Sequence, residues 1–193
     1  DEAISSAASG SVIVQGGVIT NTGLISLGPV VGAESVFDSD VTYLTATVYD
    51  SNSNKIVVTY SDGGNSSYGT AVVGTVSGTS ISFGTPVVFL AYSASASIAI
   101  TYDSNAQKVV VIYQDSNNGY YGTAKVGTVS GTSVSFGPAG VFAQINTEYS
   151  AVFDSNSNKV VVAYRDASNS NYGTAVVGTV SGTSISFGTA AVY

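Results

Sequence analysis

Apolar and polar residues alternate along most of this chain in short runs, and clusters of Ser, Asn, Asp and Gly separate the runs. That alternation is the period of a strand, and no stretch carries a helical period. The middle of the chain shows the pattern most fully. Ser97-Ile-Ala-Ile-Thr-Tyr102 alternates and predicts a strand, here called a. Lys108-Val-Val-Val-Ile-Tyr113 is almost continuously apolar, as expected of a strand b covered on both faces. Tyr121-Gly-Thr-Ala-Lys-Val-Gly-Thr-Val129 predicts strand c, whose glycines leave room for close neighbours or bulges. Val134-Ser-Phe136, continuing toward Val141-Phe142, predicts strand d with one wetted face. The a–b connector Asp-Ser-Asn-Ala-Gln and the c–d connector Ser-Gly-Thr are short and of hairpin type.

The same pattern occurs three times. Asp50-Ser-Asn-Ser-Asn-Lys-Ile-Val-Val-Thr-Tyr60-Ser-Asp62 returns from Asp103 and from Asp154, at spacings of 53 and 51 residues. Tyr68-Gly-Thr-Ala-Val-Val-Gly-Thr-Val-Ser-Gly-Thr-Ser-Ile-Ser-Phe83-Gly84 returns ending at Phe136-Gly137 and at Phe187-Gly188. Four antiparallel strands repeated at about 50 residues predict an all-β chain of β-propeller-type blades, with a β-sandwich as the alternative. A sandwich has no reason to repeat its sequence every four strands. Residues 11–28 resemble strands c and d, so the expected organisation is an N-terminal segment with a half-blade hairpin (1–36) and blades at 37–89, 90–142 and 143–193. Closed propellers need roughly four to eight blades. The chain is therefore expected to be a fragment of a longer ring, with completion by another copy or an open stack as alternatives.

Composition narrows the chemistry. Only 9% of the 193 residues are charged, where about 25% is usual, and Cys, Met, Trp and His are absent. Disulfides, thiolate or imidazole metal sites and histidine-based nucleophile schemes are thereby excluded. Twelve acidic against five basic residues give a net charge of −7, which removes long-range attraction to nucleic acid or anionic lipid. No apolar run is long enough for a membrane helix. Scarce Lys and Glu with abundant Ser, Thr, Asn and Gly suit an extracellular or virion surface. The start at Asp1, without Met or an export segment, reads as a processed or excised chain.

In an up-down blade the a–b and c–d turns lie on one edge, and the b–c and d–a connections on the other. The first set is nearly constant between copies. The second varies: Gly63-Gly-Asn-Ser-Ser67 becomes Ser116-Asn-Asn-Gly-Tyr120 and Ala167-Ser-Asn-Ser-Asn171, while Leu90-Ala-Tyr-Ser93 becomes Ala143-Gln-Ile-Asn146. The b–c/d–a edge is thus the candidate binding edge. Its candidate ligand contacts are Asp62, Asn65, Tyr68 and Tyr92, then Asp115, Asn117, Asn118, Tyr120 and Tyr121, then Asn146, Arg165, Asp166, Asn169, Asn171 and Tyr172. Carboxylates, amides and aromatic rings together meet the hydroxyls and apolar faces of sugars. The competing reading is that Asp and Tyr merely close and cap the b–c loop.

Two other constellations are weaker. Asp50-x-Asn52-x-Asn54 and Asp154-x-Asn156-x-Asn158 resemble the first half of a calcium loop, but Lys55 and Lys159 follow and no bidentate Glu does. An Asx-rich hairpin, with Asp50 and Lys55 pairing across it, is the favoured reading, and no cofactor is expected. Equivalent Asp residues, one per repeat, look structural. The non-repeating acids Glu34, Asp38, Asp40 and Glu148 are few, and Arg165 is the sole arginine, so the chain reads as non-enzymatic.

Phe153-Asp-Ser-Asn-Ser-Asn-Lys-Val-Val-Val-Ala-Tyr-Arg-Asp166, followed by Asn171-Tyr-Gly-Thr-Ala-Val-Val-Gly-Thr-Val-Ser-Gly-Thr-Ser-Ile-Ser-Phe187-Gly188, resembles tandem repeats of tail-fibre and other virion structural proteins of aquatic phages and of bacterial surface proteins. The resemblance spans about residues 37–193 and implies an exposed recognition or decoration role, without a catalytic residue to carry over. The expected function is a surface module that binds a cell-surface glycan. The alternative is a structural repeat that assembles with copies of itself into a virion decoration, fibre or sheath.

Overall fold

The computed structural model describes residues 5–6, 12–13, 32–94 and 97–192. The chain divides into two compact units, 1–31 and 32–193. In the first, β1 (Ser5–Ser6) pairs antiparallel with β2 (Val12–Ile13). The rest of the half-blade hairpin expected over residues 11–28 lies outside the described residues.

The second unit is all-β, and its sheets are antiparallel. β3 (Thr42–Asp50), β4 (Lys55–Asp62), β5 (Tyr68–Ser77) and β6 (Ser80–Phe83) follow one another in the first sheet, and β7 (Val87–Ser93) also pairs with β5. The second sheet holds β8 (Ile98–Asp103), β9 (Lys108–Asp115), β10 (Tyr121–Ser130), β11 (Ser133–Asp154), β12 (Lys159–Asp166), β13 (Tyr172–Ser181) and β14 (Ser184–Phe187), with β15 (Ala191–Val192) added on β13. Each repeat therefore has the strand order a-b-c-d. Neither strand order closes on itself, and packed open sheets of this kind fit the sandwich alternative.

The 22-residue β11 is strand d of repeat 2 and strand a of repeat 3 at once. It pairs with β10 as far as Gln144 and with β12 from Ile145, with an irregularity between Ile145 and Tyr149. This corrects the expected d–a loops. Leu90–Ser93 lies within β7, and Ala143–Asn146 lies within β11. Each stretch hides one apolar anchor, Leu90 or Ile145, which holds the backbone against the sheet.

The a–b turns are Asx turns. Asp50 Oδ1 accepts the Asn52 and Ser53 amides at 2.9 and 3.2 Å, Asp103 Oδ1 accepts Ala106 N at 2.8 Å, and Asp154 Oδ1 accepts Asn156 N at 2.9 Å. Asn54, Gln107 and Asn158 close these turns in the left-handed region, at φ 55°, 57° and 55°. In the c–d turns Gly78, Gly131 and Gly182 take the left-handed position, which glycine adopts without a Cβ penalty.

Strand b explains the core. Its side chains alternate between a front and a back face, and both are apolar in β9. Val109 and Val111 face repeat 1, in a cluster with Val57, Ala71 and Val73 from its back face. Val110 and Ile112 face repeat 3, in a cluster with Val160, Val162, Tyr164 and Val176 from its front face. The four β9 residues are fully buried, and each such side chain contributes about 1.5–3 kcal/mol relative to exposure. A phenylalanine from strand d wedges each junction. Phe89 lies 5.7 Å from Tyr113 and 5.6 Å from Phe136, and Phe142 lies 5.4 Å from Tyr164 and 4.8 Å from Phe187. Phe37 makes the same contacts on repeat 1, at 5.1 Å from Tyr60 and 5.7 Å from Phe83.

Candidate functional site

At the b–c edge each repeat closes strand b with an aspartate. Asp62 Oδ1 accepts Asn65 N and Asp115 Oδ1 accepts Asn118 N, both at 3.0 Å, each capping a 3₁₀ turn (Gly63–Asn65 and Ser116–Asn118). In repeat 3, Asp166 Oδ1 instead accepts the Ser168 amide at 2.9 Å and the Ser168 hydroxyl at 2.6 Å. The loop-capping reading of these three carboxylates is therefore what the geometry displays. The turn ends in two consecutive left-handed residues: Ser66 and Ser67, Gly119 and Tyr120, or Ser170 and Asn171.

Tyr120 stands out among them. Its φ is 62°, where a bulky side chain is strained, and it is 57% exposed, so packing does not compensate. Ser67 and Asn171 serve the same turn in the other repeats. Tyr120 borders a depression of about 340 Å³ with Gln114, Gln144, Thr147 and Ala167. Gln144 Nε2 donates to Gly119 O at 3.1 Å, and Gln114 Nε2 donates to Ile145 O, so the two amides are fixed to the backbone.

A second depression, of about 630 Å³, shares Thr147 and is bordered by Glu148, Ser150, Arg165, Asn171 and Gly173 among others. Arg165 Nη1 lies 3.4 Å from Glu148 Oε2, both side chains being half exposed. Among the described residues the two depressions bring together Tyr120, Arg165 and Asn171 of the expected contacts. Asp62, Asn65 and Tyr68 of repeat 1 border neither, nor do Asn117, Asn118, Asn169 and Tyr172. Nothing is described of the Asn146 side chain. Gln114, Gln144, Thr147 and Glu148 border the depressions without being among the expected ligand contacts. The signal for the first lay in the Ser61, Gln114, Arg165 series, one repeat position filled by three different polar residues.

Tyr92 turns inward. Burial and then a hydrogen bond to Asp115 push its phenol above the ordinary range. It thus ties repeat 1 to the strand b end of repeat 2. The Tyr149 hydroxyl accepts Gln114 N at 3.2 Å across the next junction, and burial raises that phenol as well.

The calcium-like loops use their carboxylates internally. Both Asp50 oxygens are engaged, Oδ1 by two amides and Oδ2 by the Ser53 hydroxyl at 2.8 Å, and Asp154 Oδ2 accepts Ser157 Oγ at 2.6 Å. These bonds hold the exposed Asp154 carboxyl below its ordinary range. The expected Asp50–Lys55 ion pair is not formed: Lys55 Nζ donates to Thr75 Oγ1 at 2.9 Å. Asp50→Ala is expected to cost about 1 kcal/mol, as loss of a cap does, while added calcium or a chelator leaves Tm unchanged in thermal melts of the intact chain. A calcium-dependent rise in Tm that Asp50→Ala abolishes would instead make the loop a cation site.

No protein-family model, no curated protein and no solved structure matches this chain.

Proposed function

We propose that the repeats are propeller-type blades and that the chain is a non-enzymatic recognition module of an extracellular or virion surface, holding an uncharged saccharide at the b–c edge around Tyr120. The blade reading is supported by the a-b-c-d strand order of each repeat and by the stacking of the back face of one repeat on the front face of the next. The saccharide reading is carried by Tyr120: an exposed aromatic at a strained φ, beside a depression whose other borders are uncharged, the amides of Gln114 and Gln144 and the Thr147 hydroxyl together with Gly119, Ile145 and Ala167. A ring offers an apolar sugar face a stacking surface, and amides and hydroxyls match its donors and acceptors. The Glu148–Arg165 pair next to it neutralises its own charge and leaves the site selective for neutral ligands.

Tyr120→Gly separates binding from folding. Glycine at φ 62° relieves strain, so the variant is expected to keep or gain about 1 kcal/mol of stability while losing at least tenfold in saccharide affinity. A glycan array followed by titration calorimetry on both proteins checks this. An array without a binder, or equal affinity in the two proteins, overturns the reading.

A further inference from the structure

We infer that the back face of repeat 3 is a docking surface for another repeat of this same pattern, joined through the same d-to-a connection.

Five positions carry the inference. On the back faces of repeats 1 and 2 they are Val57, Thr59, Ala71 and Val73, and Val110, Ile112, Ala124 and Val126, all at 0% exposure, with Val48 half-buried and Thr101 buried on strand a. In repeat 3 the same positions are Val161, Ala163, Ala175, Val177 and Val152, and none is buried: Val177 is 44% and Val152 59% exposed. The residues remain apolar although solvent reaches them. The larger depression is bordered by Ala163 of this face and by Gly173; the counterparts of Gly173, Gly69 and Gly122, are buried.

A second feature is independent of the first. A Cβ on Gly84 would lie 1.9 Å from Thr132 O, and one on Gly137 would lie 2.0 Å from Thr183 O. Each of these glycines seats the c–d turn of the following repeat. Gly188 has the same place in repeat 3, and among the described residues a Cβ there would meet only Val177 O, at 3.7 Å. Among the described residues no turn sits on Gly188. In sequence, Tyr193 follows Gly188 by five residues, the spacing from Gly32 to Phe37, Gly84 to Phe89 and Gly137 to Phe142. The sequence thus repeats an aromatic at this spacing.

The two formed junctions define the occupant: a front face with Val-x-Val-x-Tyr on strand b, an aromatic slot and a Ser-Gly-Thr turn. A second copy of the chain does not fit as it stands, because its first front face already holds Phe37 against Tyr60 and Phe83. In junction 2–3 the wedge and the next strand a belong to one strand, β11, which favours a covalently joined occupant.

The test extends the full chain after Tyr193 by a second copy of residues 143–193. Docking is expected to give one cooperative melt with Tm several degrees above that of the parent, since a stacked repeat adds an interface term. Two variants check where it docks. Val177→Glu and Gly188→Ala are expected to leave the parent's Tm unmoved and to lower that of the extended chain. An added repeat that melts separately, or variants that shift both chains equally, overturns the inference. So does concentration-dependent dimerisation of the parent that Val177→Glu abolishes, which would make a second copy the occupant.

Discussion

Phe89→Ala is expected to lower the unfolding free energy by about 3–5 kcal/mol, a large share of the 5–15 kcal/mol of an ordinary domain. Phe89 is 2% exposed and wedged between Tyr113 and Phe136 of the next repeat. Its ring also covers Gly69, where a Cβ would lie 2.8 Å from it, and its carbonyl accepts Lys125 Nζ at 2.7 Å. Truncation leaves a cavity that none of these groups can fill: the Gly69 backbone has no side chain to move, and Tyr113 is held by strand b. The effect should exceed that of Phe37→Ala, because Phe37 is only partly buried against repeat 1. Urea unfolding followed by tyrosine fluorescence and by far-UV circular dichroism gives both numbers. Divergence of the two signals in Phe89→Ala would show repeat 1 separating from repeats 2 and 3, as nearest-neighbour coupling requires. A cost below about 1 kcal/mol would mean that the wedge does not hold the junction.

The strands were legible because each is short, repeated and chemically bounded. The run Lys108–Tyr113 announced a strand covered on both faces, and its valines are buried in both directions. The same rule misjudges repeat 3, where Val161 and Ala163 are equally apolar and lie on an open face. Composition reports what a position is suited to touch, and the presence of the neighbour is a tertiary fact. The d–a connections failed for a related reason. Ser, Asn and Gln around Leu90 and Ile145 read as loop, while one buried side chain in each stretch is enough to keep the backbone in the ladder. At the candidate edge, variation between copies pointed to the loops that carry Tyr120 and Asn171, which border the depressions. It could not say that Tyr92 points to Asp115, since direction across a bulged strand depends on register.

Gly84→Ala and Gly137→Ala are each expected to destabilise the chain by about 1–3 kcal/mol, whereas Gly188→Ala stays within about 0.5 kcal/mol of the parent. The substitution is the same one at three equivalent positions, so helix or strand propensity and unfolded-chain entropy nearly cancel in the comparison. None of the three has a positive φ, which leaves sterics as the difference. At Gly84 and Gly137 the added methyl meets a backbone carbonyl of the next repeat, at 1.9 and 2.0 Å, and a carbonyl has no rotamer by which to withdraw. The c–d turn must lift off its seat, and with it the contact of Val134 or Ile185 on that turn's strand with the preceding repeat. At Gly188 the nearest atom among the described residues is 3.7 Å away, an ordinary contact. Thermal melts of the three variants decide the matter. Equal costs at all three would show that these glycines serve strand d itself, and the close stacking of repeats would then have to rest on the phenylalanine wedges alone.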